Sequence, residues 1–306
     1  MGWSPWSSDD FEEHVDNVVH KTADQIFVSH DLDFDLSPHN IKVRESRDSE
    51  KHPESNAIII ACDETGSMGF IAEYMFKTGI GTVIENILER KPISHPHCMV
   101  MGIGDVMSDR SPVQISQFEA DTTIFKWLEK VHVEGNGGGN NTESYDAAWY
   151  VASRMTSIDC WEKRQKKGYL FTIGDEEAPR GIPSHLVKRH IGHEVDSDLS
   201  AADLLAAAQR MYHCYHIMVA QGSHASDYPN QVKDTWRKLM GENAIWLDDY
   251  NSLAEVIVSI IEVNEGRDKD AVAGSWSGNT SLVVASAIKD LPSTIATAKG
   301  KKVARL

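Results

Sequence analysis

A short apolar segment that stops abruptly at an acidic, hydroxyl-rich turn is the strongest constraint on how this chain folds. Residues 57–62 are apolar without interruption, which is typical of a strand buried on both faces of a sheet. Asp63, Thr65 and Ser67 follow it, and a helical pattern of apolar residues begins at Phe70. In open α/β sheets, ligands bind beyond the carboxyl ends of such strands, beside the next helix N-terminus. The three oxygen-bearing side chains therefore predict a site for a hard cation such as Mg²⁺ or Mn²⁺.

Strand-like and helix-like patterns alternate along the chain from residue 57 to residue 265. This alternation predicts an α/β fold with a doubly wound, mostly parallel sheet of six strands and helices on both faces. The segment 113–118 alternates with period two and follows the segment 98–104 too closely for a crossover helix. We therefore predict that it is an antiparallel edge strand. The other predicted strands are 57–62, 98–104, 169–173, 214–220 and 244–247.

Two helix starts carry capping-box patterns, in which a serine precedes an acidic residue by three positions. Ser200 with Asp203 predicts a helix that begins at 201, and Ser252 with Glu255 predicts one that begins at 253. We expect both serine side chains to accept a hydrogen bond from a backbone N–H of the first turn.

The composition divides the chain into three parts. Residues 1–55 predict an arm with a short helix, which we expect to pack against the main domain, and residues 56–266 predict the α/β domain itself. Residues 267–306 are rich in Ala, Ser and Gly and end in a basic segment at 299–306. That segment predicts either a solvated tail or a peptide that docks on an acidic neighbour, such as another copy of this chain.

Charge and hydropathy exclude several classes of partner. The formal net charge of −16 repels phosphate groups, so we expect neither nonspecific nucleic-acid binding nor attachment to anionic membranes. The N-terminus lacks a signal-peptide pattern, and no apolar run approaches the roughly 20 residues that a membrane helix needs. The four cysteines are far apart, which favours reduced core thiols. These features predict a cytoplasmic protein, or one of the virion or host cytoplasm if a phage encodes it.

Two further segments are expected at the same edge of the sheet as the turn after residue 62. The glycine-rich loop 135–144 leads into a helix predicted at 143–155, and the segment 174–177 directly follows a predicted strand. Glycines let the backbone approach a bound ion closely. Asp175 lies at the end of a strand beside the first strand, where its carboxylate could support an ion-bound water.

Taken together, these residues resemble the von Willebrand factor A (vWA) family over roughly 57–265. Asp63-Glu64-Thr65-Gly66-Ser67 is similar to the family's Asp-x-Ser-x-Ser motif, with Thr65 in place of the first serine. The glycine-rich loop resembles the segment that supplies a metal-binding threonine, and Asp175 matches the aspartate that closes the site. Segments similar to stand-alone members from bacteria and large phages are 44–49, 137–145 and 174–176.

The resemblance implies a metal-ion-dependent adhesion site (MIDAS) that holds Mg²⁺, with Mn²⁺ or Ca²⁺ as alternatives. Thr65, Ser67 and one loop residue would bind the ion directly, whereas Asp63 and Asp175 would act largely through water. The alignment leaves the loop residue open between Asn140 and Thr142, and either oxygen can bind a hard cation.

Three further carboxylates are candidates for contact with the ion, directly or through water. Glu143 follows Thr142, Glu176 follows Asp175, and Asp105 follows the strand predicted at 98–104. The alternative for Glu143 and Glu176 is that they are ordinary acids at helix N-termini, where the helix dipole favours negative charge.

The function implied by the resemblance is cation-dependent protein binding without catalysis. A carboxylate from a protein partner would complete the coordination of the ion. Two roles are implied: an adaptor for a hexameric AAA+ ATPase of the MoxR type, and an assembly component that binds its own kind, for example in a phage particle.

An enzymatic alternative starts from the same turn. It also resembles the Asp-Lys-Thr-Gly-Thr motif of haloacid dehalogenase-type phosphotransferases, in which Asp63 would attack phosphorus and Asp175 would bind Mg²⁺. Three features disfavour this interpretation: no second acid follows Glu177, no room remains for a flap before the helix, and the glycine-rich loop has no role in it.

Zinc is a second alternative for the metal. The histidine-rich segments could supply ligands, but their spacing fits no helical pair, and strand alternation puts His213 and His216 on opposite faces. We therefore expect these histidines to be surface or core residues.

Overall fold

The computed structural model describes residues 31–134 and 141–292, together with residues 9, 12, 13, 15 and 16. Within these residues, a six-stranded sheet forms the centre of the fold, with one antiparallel pair at its edge. This confirms the predicted fold class. The strands, in chain order, are β1 (Asn56–Asp63), β2 (Pro96–Ile103), β3 (Val113–Ile115), β4 (Gly168–Gly174), β5 (Tyr212–Val219) and β6 (Ala244–Leu247).

The order of the strands in space is β3-β2-β1-β4-β5-β6. The chain begins at the centre with β1, moves outward through β2 to β3, and then returns to the other side of β1. The strand order therefore reverses between β1 and β4, and doubly wound sheets bind ligands beyond the strand ends at such a switch point. The loops that follow Asp63 and Gly174 emerge side by side at that point.

Helices cover both faces of the sheet because successive side chains of a buried strand point to opposite sides. Ile58 and Ile60 pack into one core, and Ala57 and Ile59 pack into the other. The helices on the side of Ile58 are α1 (Phe70–Tyr74), α2 (Ile80–Arg90), α3 (Thr123–Leu128), α10 (Leu253–Asn264), α11 (Lys269–Gly274) and α12 (Gly278–Ile288). Those on the side of Ile59 are α4 (Tyr145–Arg154), α5 (Asp159–Arg164), α6 (Ser184–Ile191), α7 (Ala201–Gln209), α8 (Ser223–Asp227) and α9 (Pro229–Met240).

The two predicted capping boxes have different outcomes. Ser200 caps α7 as predicted, because its hydroxyl accepts a hydrogen bond from the Asp203 N–H at 3.1 Å. The prediction for Ser252 is wrong: α10 begins at Leu253, but the Ser252 side chain makes no capping hydrogen bond. The reason is a 3-10 turn over Tyr250–Ser252, which gives Ser252 a backbone conformation outside the extended region that a cap needs.

The parts of the chain outside the central sheet also pack against it. Arg44–Ser46 pairs in parallel with Thr156–Ile158, a two-stranded sheet that the sequence did not predict. Residues 269–291 lie against α10, and Val284 and Ile288 are buried in its core. The basic segment 299–306 and most of the predicted N-terminal helix lie outside the described residues.

The structure bears on two predictions from the sequence, namely that the cysteines are reduced core residues and that no segment spans a membrane. All four cysteines are buried with free thiols, as the sequence predicted. No helix in the ranges given above combines the length and the apolar character needed to cross a bilayer.

Candidate metal site

Hydrogen bonds, together with one close approach of two hydroxyl oxygens, connect four of the residues singled out from the sequence. The Oδ1 atom of Asp63 accepts from the Thr65 backbone N–H at 2.8 Å and from the Thr65 hydroxyl at 2.6 Å. The Thr65 and Ser67 hydroxyl oxygens lie 3.2 Å apart. The Ser67 hydroxyl then donates to Oδ1 of Asp175 at 2.6 Å. Two loops separated by more than a hundred residues thus meet through side chains that a hard cation could share.

The sheet explains why these residues meet. Cys62 in β1 is in register with Ile173 in β4, so Asp63 and Asp175 leave the sheet at the same edge. Both aspartates are fully buried, and Thr65 is nearly so, whereas Ser67 is half-buried. The arrangement places a hydroxyl at the boundary with solvent and two carboxylates beneath it.

Tyr145 is a member of the site that the sequence did not indicate. It is the first residue of α4, and its hydroxyl donates to Oδ2 of Asp63 at 2.6 Å. Gly174 makes room for it, because a Cβ at that position would collide with the Tyr145 hydroxyl. A tyrosine at a helix start gives no signal in the sequence that it will turn towards a distant aspartate.

The loop after β5 is a second contribution that sequence reasoning missed. The backbone N–H of His224 donates to Oδ2 of Asp175 at 2.9 Å, and that of Ser223 donates to the Ser67 carbonyl at 3.1 Å. Gly222 is required here, because a Cβ would collide with the Asp175 side chain. A signal was available: this loop also follows the carboxyl end of a parallel strand, where such folds place binding residues.

The other candidate residues differ in how closely they approach the side chains of Asp63, Thr65, Ser67 and Asp175. Glu143 and Glu176 are buried near Asp63, whose charge contributes to the raised pKa of each. Thr142 is paired with Glu177 in an isolated parallel bridge.

Two candidates need separate mention. Asp105 is buried beside Glu143, and its charge contributes to the raised pKa of Glu143. Asn140 lies outside the described residues, so the choice between it and Thr142 stays a prediction.

Burial and mutual repulsion raise the pKa values of the acids in this site. Burial, followed by the charge of Asp175, raises the pKa of Asp63 to about 7. Burial and the charge of Asp63 raise the pKa of Glu143 to about 10. Burial and the charge of Asp175 raise the pKa of Glu176 to about 8, and burial raises the pKa of Asp175 itself. The folded protein therefore holds several acids at a cost that a positive charge would offset.

The residues present fit a hard divalent cation. Two hydroxyls and two carboxylates meet within hydrogen-bonding distance, and both kinds of oxygen are accepted by Mg²⁺, Mn²⁺ and Ca²⁺. The Oε2 atom of Glu143 is buried without a hydrogen-bond partner, and that of Glu176 also lacks one, although Nδ1 of His224 lies 3.5 Å from it. Buried polar atoms in that state are expensive, so their presence beside the hydroxyls is consistent with a site built for an ion.

The histidines and the other acids form no alternative metal centre in the part of the chain described. No three His, Cys, Asp or Glu side chains there are grouped so that they alone could hold a metal ion. His216 instead stacks on Trp236, with ring centroids 3.4 Å apart, and its Nδ1 lies 2.9 Å from the Thr172 hydroxyl. The candidate site after β1 therefore depends on its hydroxyl groups.

No protein-family model matches the chain, and no curated protein matches it. Among solved structures, the pilus adhesin SpaC from Lactobacillus rhamnosus GG is similar at 12% identity and a TM-score of 0.45, over 69% of this chain and 30% of that one. Proximal thread matrix protein 1 from the mussel byssus, with a zinc-occupied MIDAS motif, is similar at 13% identity and a TM-score of 0.44, over 68% and 47%. A von Willebrand factor type A protein from Catenulispora acidiphila is similar at 13% identity and a TM-score of 0.38, over 70% and 44%.

The chain thus spans less than half the length of these three proteins. Each TM-score is below 0.5, so the likeness carries no argument about function. The strand order and the antiparallel edge strand after β2 show a doubly wound α/β fold.

Proposed function

We propose that this protein is a protein-binding module whose binding depends on a divalent cation, most naturally Mg²⁺, held in a MIDAS-type site. Thr65 and Ser67 would contact the ion directly, with Thr142 or Asn140 as the loop ligand. Asp63 and Asp175 would hold these hydroxyls and the ion's waters in place. The bound ion would supply a coordination position for a carboxylate of the partner.

The observation that carries the proposal is the chain from Asp63 through Thr65 and Ser67 to Asp175. Neutral hydroxyls stand at its centre, and the carboxylates that flank them are buried. Neutral ligands leave more of a cation's charge uncompensated than carboxylates do. An ion held in this way keeps an affinity for an acidic group from outside, which is the property that partner binding requires.

Exposed apolar side chains near the site support an interface with a protein. Phe70, three residues after Ser67, is 64% exposed, and Met107 in the loop after β2 is 63% exposed. Tyr228, between β5 and α9, is 48% exposed. All three lie in segments that follow strands whose carboxyl ends point to the site. Interfaces are enriched in such aromatic and methionine side chains.

The geometry of Asp63 disfavours the phosphotransferase alternative. Its Oδ1 accepts two hydrogen bonds from Thr65, its Oδ2 accepts one from Tyr145, and the side chain is fully buried. A nucleophile must reach phosphorus, and neither oxygen has a free line of approach. We therefore propose a role without catalysis.

The class of partner is a further part of the proposal. We propose a protein that offers an acidic side chain, either an AAA+ ATPase of the MoxR type or another copy of this chain in an assembly. A cytoplasmic location, in a bacterium or in a cell infected by a phage, is proposed with it.

The test is a pull-down from a lysate of the source organism, with the protein as bait in Mg²⁺ or in EDTA. Wild type is compared with Ser67→Ala and with Ser286→Ala, a matched change at an exposed position of α12. We expect partners that are retained in Mg²⁺ by wild type and by Ser286→Ala, and lost in EDTA or with Ser67→Ala. Partners retained equally under all conditions would exclude an ion-bridged mechanism.

A further inference from the structure

A cleft of about 490 Å³ opens directly beside the candidate ion site. It lies between the loop after β2, the segment that leads into α4, and the segment that follows β4. Its volume falls within the range of sites that hold small ligands or side chains. The residues that line it are Asp105, Val106, Met107, Asn141, Thr142, Glu143, Ser144, Asp146, Pro179, Arg180, Gly181 and Pro183.

Three carboxyl groups in the wall of this cleft are more than nine-tenths buried. Asp146 is 1% exposed, Asp105 is 2% exposed and Glu143 is 3% exposed. Oε2 of Glu143 has no hydrogen-bond partner, and the Asp146 carboxyl has no side-chain donor, only nearby backbone N–H groups, including that of Gly181. Protein interiors pair such atoms almost without exception. An unsatisfied acceptor in the wall of an open cleft, beside a buried carboxyl with no side-chain donor, therefore indicates a donor that comes from outside.

A single divalent ion in the neighbouring site would leave the carboxyl of Asp146 without a cation. Asp63 and Asp175 flank that site, and Glu143 and Glu176 lie close to it. One ion offsets two negative charges at most, and Asp146 sits farther along the chain, in the first turn of α4. The Asp146 carboxyl therefore remains open to a donor from the cleft when the ion is bound.

The arrangement of these acids fits an organic cation better than a second metal ion. They line a wide cleft and do not converge, as metal ligands would, into a group of three. Apolar groups of Val106, Met107 and Pro179 complete the walls. An aliphatic stem that ends in a positive charge matches both features, since lysine and arginine bury their stems along apolar surface and carry their charge at the tip.

We propose that the cleft beside the ion site receives a basic side chain of the partner, with its ammonium or guanidinium group donating to Asp146 and Glu143. The inference rests on the proposed function only in assigning the basic group to a protein partner. The partner would then present an acidic and a basic side chain close together, the first to the ion and the second to the cleft. Arg180 also lines the cleft but is exposed, so it stands near the mouth.

The test uses small cations that imitate the two side chains, so that no partner needs to be known. Protein labelled with ¹³C at its methionine methyl groups is titrated with n-butylammonium, n-propylguanidinium and neutral n-butanol at constant ionic strength. The Met107 methyl signal, assigned with Met107→Leu, reports on the cleft. We expect one or both cations to shift it to saturation, with an affinity at least about tenfold above that of n-butanol.

A variant links this signal to the carboxylate. Asp146→Asn should lower the affinity of the cation by about tenfold or more, because it removes the charge that the donor meets. Asp234→Asn, at an exposed position of α9, is the matched control and should leave the affinity unchanged. If Asp146→Asn fails to fold, the discrimination between the cations and n-butanol in wild type still decides the matter.

The titration is run in Mg²⁺ and again in EDTA, and Mg²⁺ affinity is measured in parallel. A shift of the Met107 signal by a cation in both buffers supports the cleft as a binding site for a basic group. This result is independent of whether the protein binds Mg²⁺ at the neighbouring site. A Met107 signal that ignores both cations, or that responds equally to n-butanol, would overturn the inference. So would saturation by a second equivalent of Mn²⁺ in place of the organic cations, which would make the cleft a metal site.

Discussion

Two clusters of acids lie at opposite ends of β1, and they are neutralised in different ways. At the amino end, Asp48 accepts from Arg164 at 2.7 Å, and Asp159 pairs with Arg47 at 2.9 Å and with Lys163 at 2.7 Å. At the carboxyl end, Asp63 and Asp175 are held by hydroxyls and by backbone N–H groups. The first cluster carries its own cations, and the second accepts neutral donors.

The pKa values of the two clusters move in opposite directions for that reason. Burial disfavours the charge on Asp48, but hydrogen bonds from Arg164 and Ser55 outweigh it, and the pKa of Asp48 falls below its usual range. Burial, reinforced by the charge of Asp175, raises the pKa of Asp63 to about 7. Acids that resist ionisation are stabilised in their charged form by a cation. The cluster at the carboxyl end of β1 is therefore where a cation from outside would bind.

The largest expected effect is on stability as a function of pH in the metal-free protein. The pKa of Asp63 is about 7 in the folded state and 3.8 unfolded, so its contribution is fully present below about pH 4 and is lost as the pH rises through about 7. The loss is on the order of 4 kcal/mol for a fully buried acid. Denaturant unfolding in EDTA at pH 5 and pH 8 should show the protein less stable at pH 8.

Two controls connect that result to the site. Mg²⁺ should reduce the difference between the two pH values, because binding to the folded state stabilises it. Asp63→Asn should reduce the pH dependence without abolishing it, since this side chain no longer titrates whereas Glu143 and Glu176 keep their raised pKa values. If the metal-free protein is equally stable at both pH values, or more stable at pH 8, then the acids at the carboxyl end of β1 do not resist ionisation and the difference between the two clusters is contradicted.

A smaller loss of stability is expected when the cluster at the amino end of β1 loses one of its own cations. Arg164→Met removes the hydrogen bonds to Asp48 and to the Ser55 carbonyl, and should lower the free energy of unfolding by about 1–2 kcal/mol at pH 7. Mg²⁺ should restore none of this loss. Arg189→Met, at an exposed position of α6, is the control and should change stability little. A loss with Arg164→Met that Mg²⁺ reverses would mean that the two clusters are not separate.

The smallest effect concerns the hydroxyl beneath the candidate ion. Tyr145→Phe removes the donor to Oδ2 of Asp63 and should cost about 1 kcal/mol of stability and about tenfold in Mg²⁺ affinity. Tyr150→Phe, which removes a hydroxyl that lies 2.9 Å from Nδ1 of His193, is the matched control. The Mg²⁺ affinity of Tyr150→Phe should equal that of wild type. An equal fall in Mg²⁺ affinity in both variants would mean that Tyr145 has no specific role in the ion site.

The central sheet could be predicted because its strands are apolar runs with clear ends. The run at 57–62 lies within β1, and the antiparallel edge strand predicted at 113–118 is present as β3, which ends at Ile115. Asp63 and Asp175 were found for the same reason, since each is the first acid at or just beyond the end of a buried apolar run. Patterns of this kind are local, so the sequence alone reveals them.

The features that escaped prediction depend on contacts between distant parts of the chain. Tyr145 reaches Asp63 across 82 positions, and the pairing of Arg44–Ser46 with Thr156–Ile158 joins segments that show no shared pattern. The failed cap at Ser252 has a related cause, because the turn before α10 set its backbone conformation. Tertiary context decides such details, and a local pattern cannot contain them.

The most direct test of the account is isothermal titration of the metal-free protein with Mg²⁺ and with Mn²⁺. Wild type and Ser286→Ala should each bind one ion per chain, and the double variant Thr65→Ala, Ser67→Ala should bind none, because it lacks the two hydroxyls that would hold the ion. Wild type that binds neither ion at millimolar concentrations, or a double variant that binds as wild type does, would contradict it.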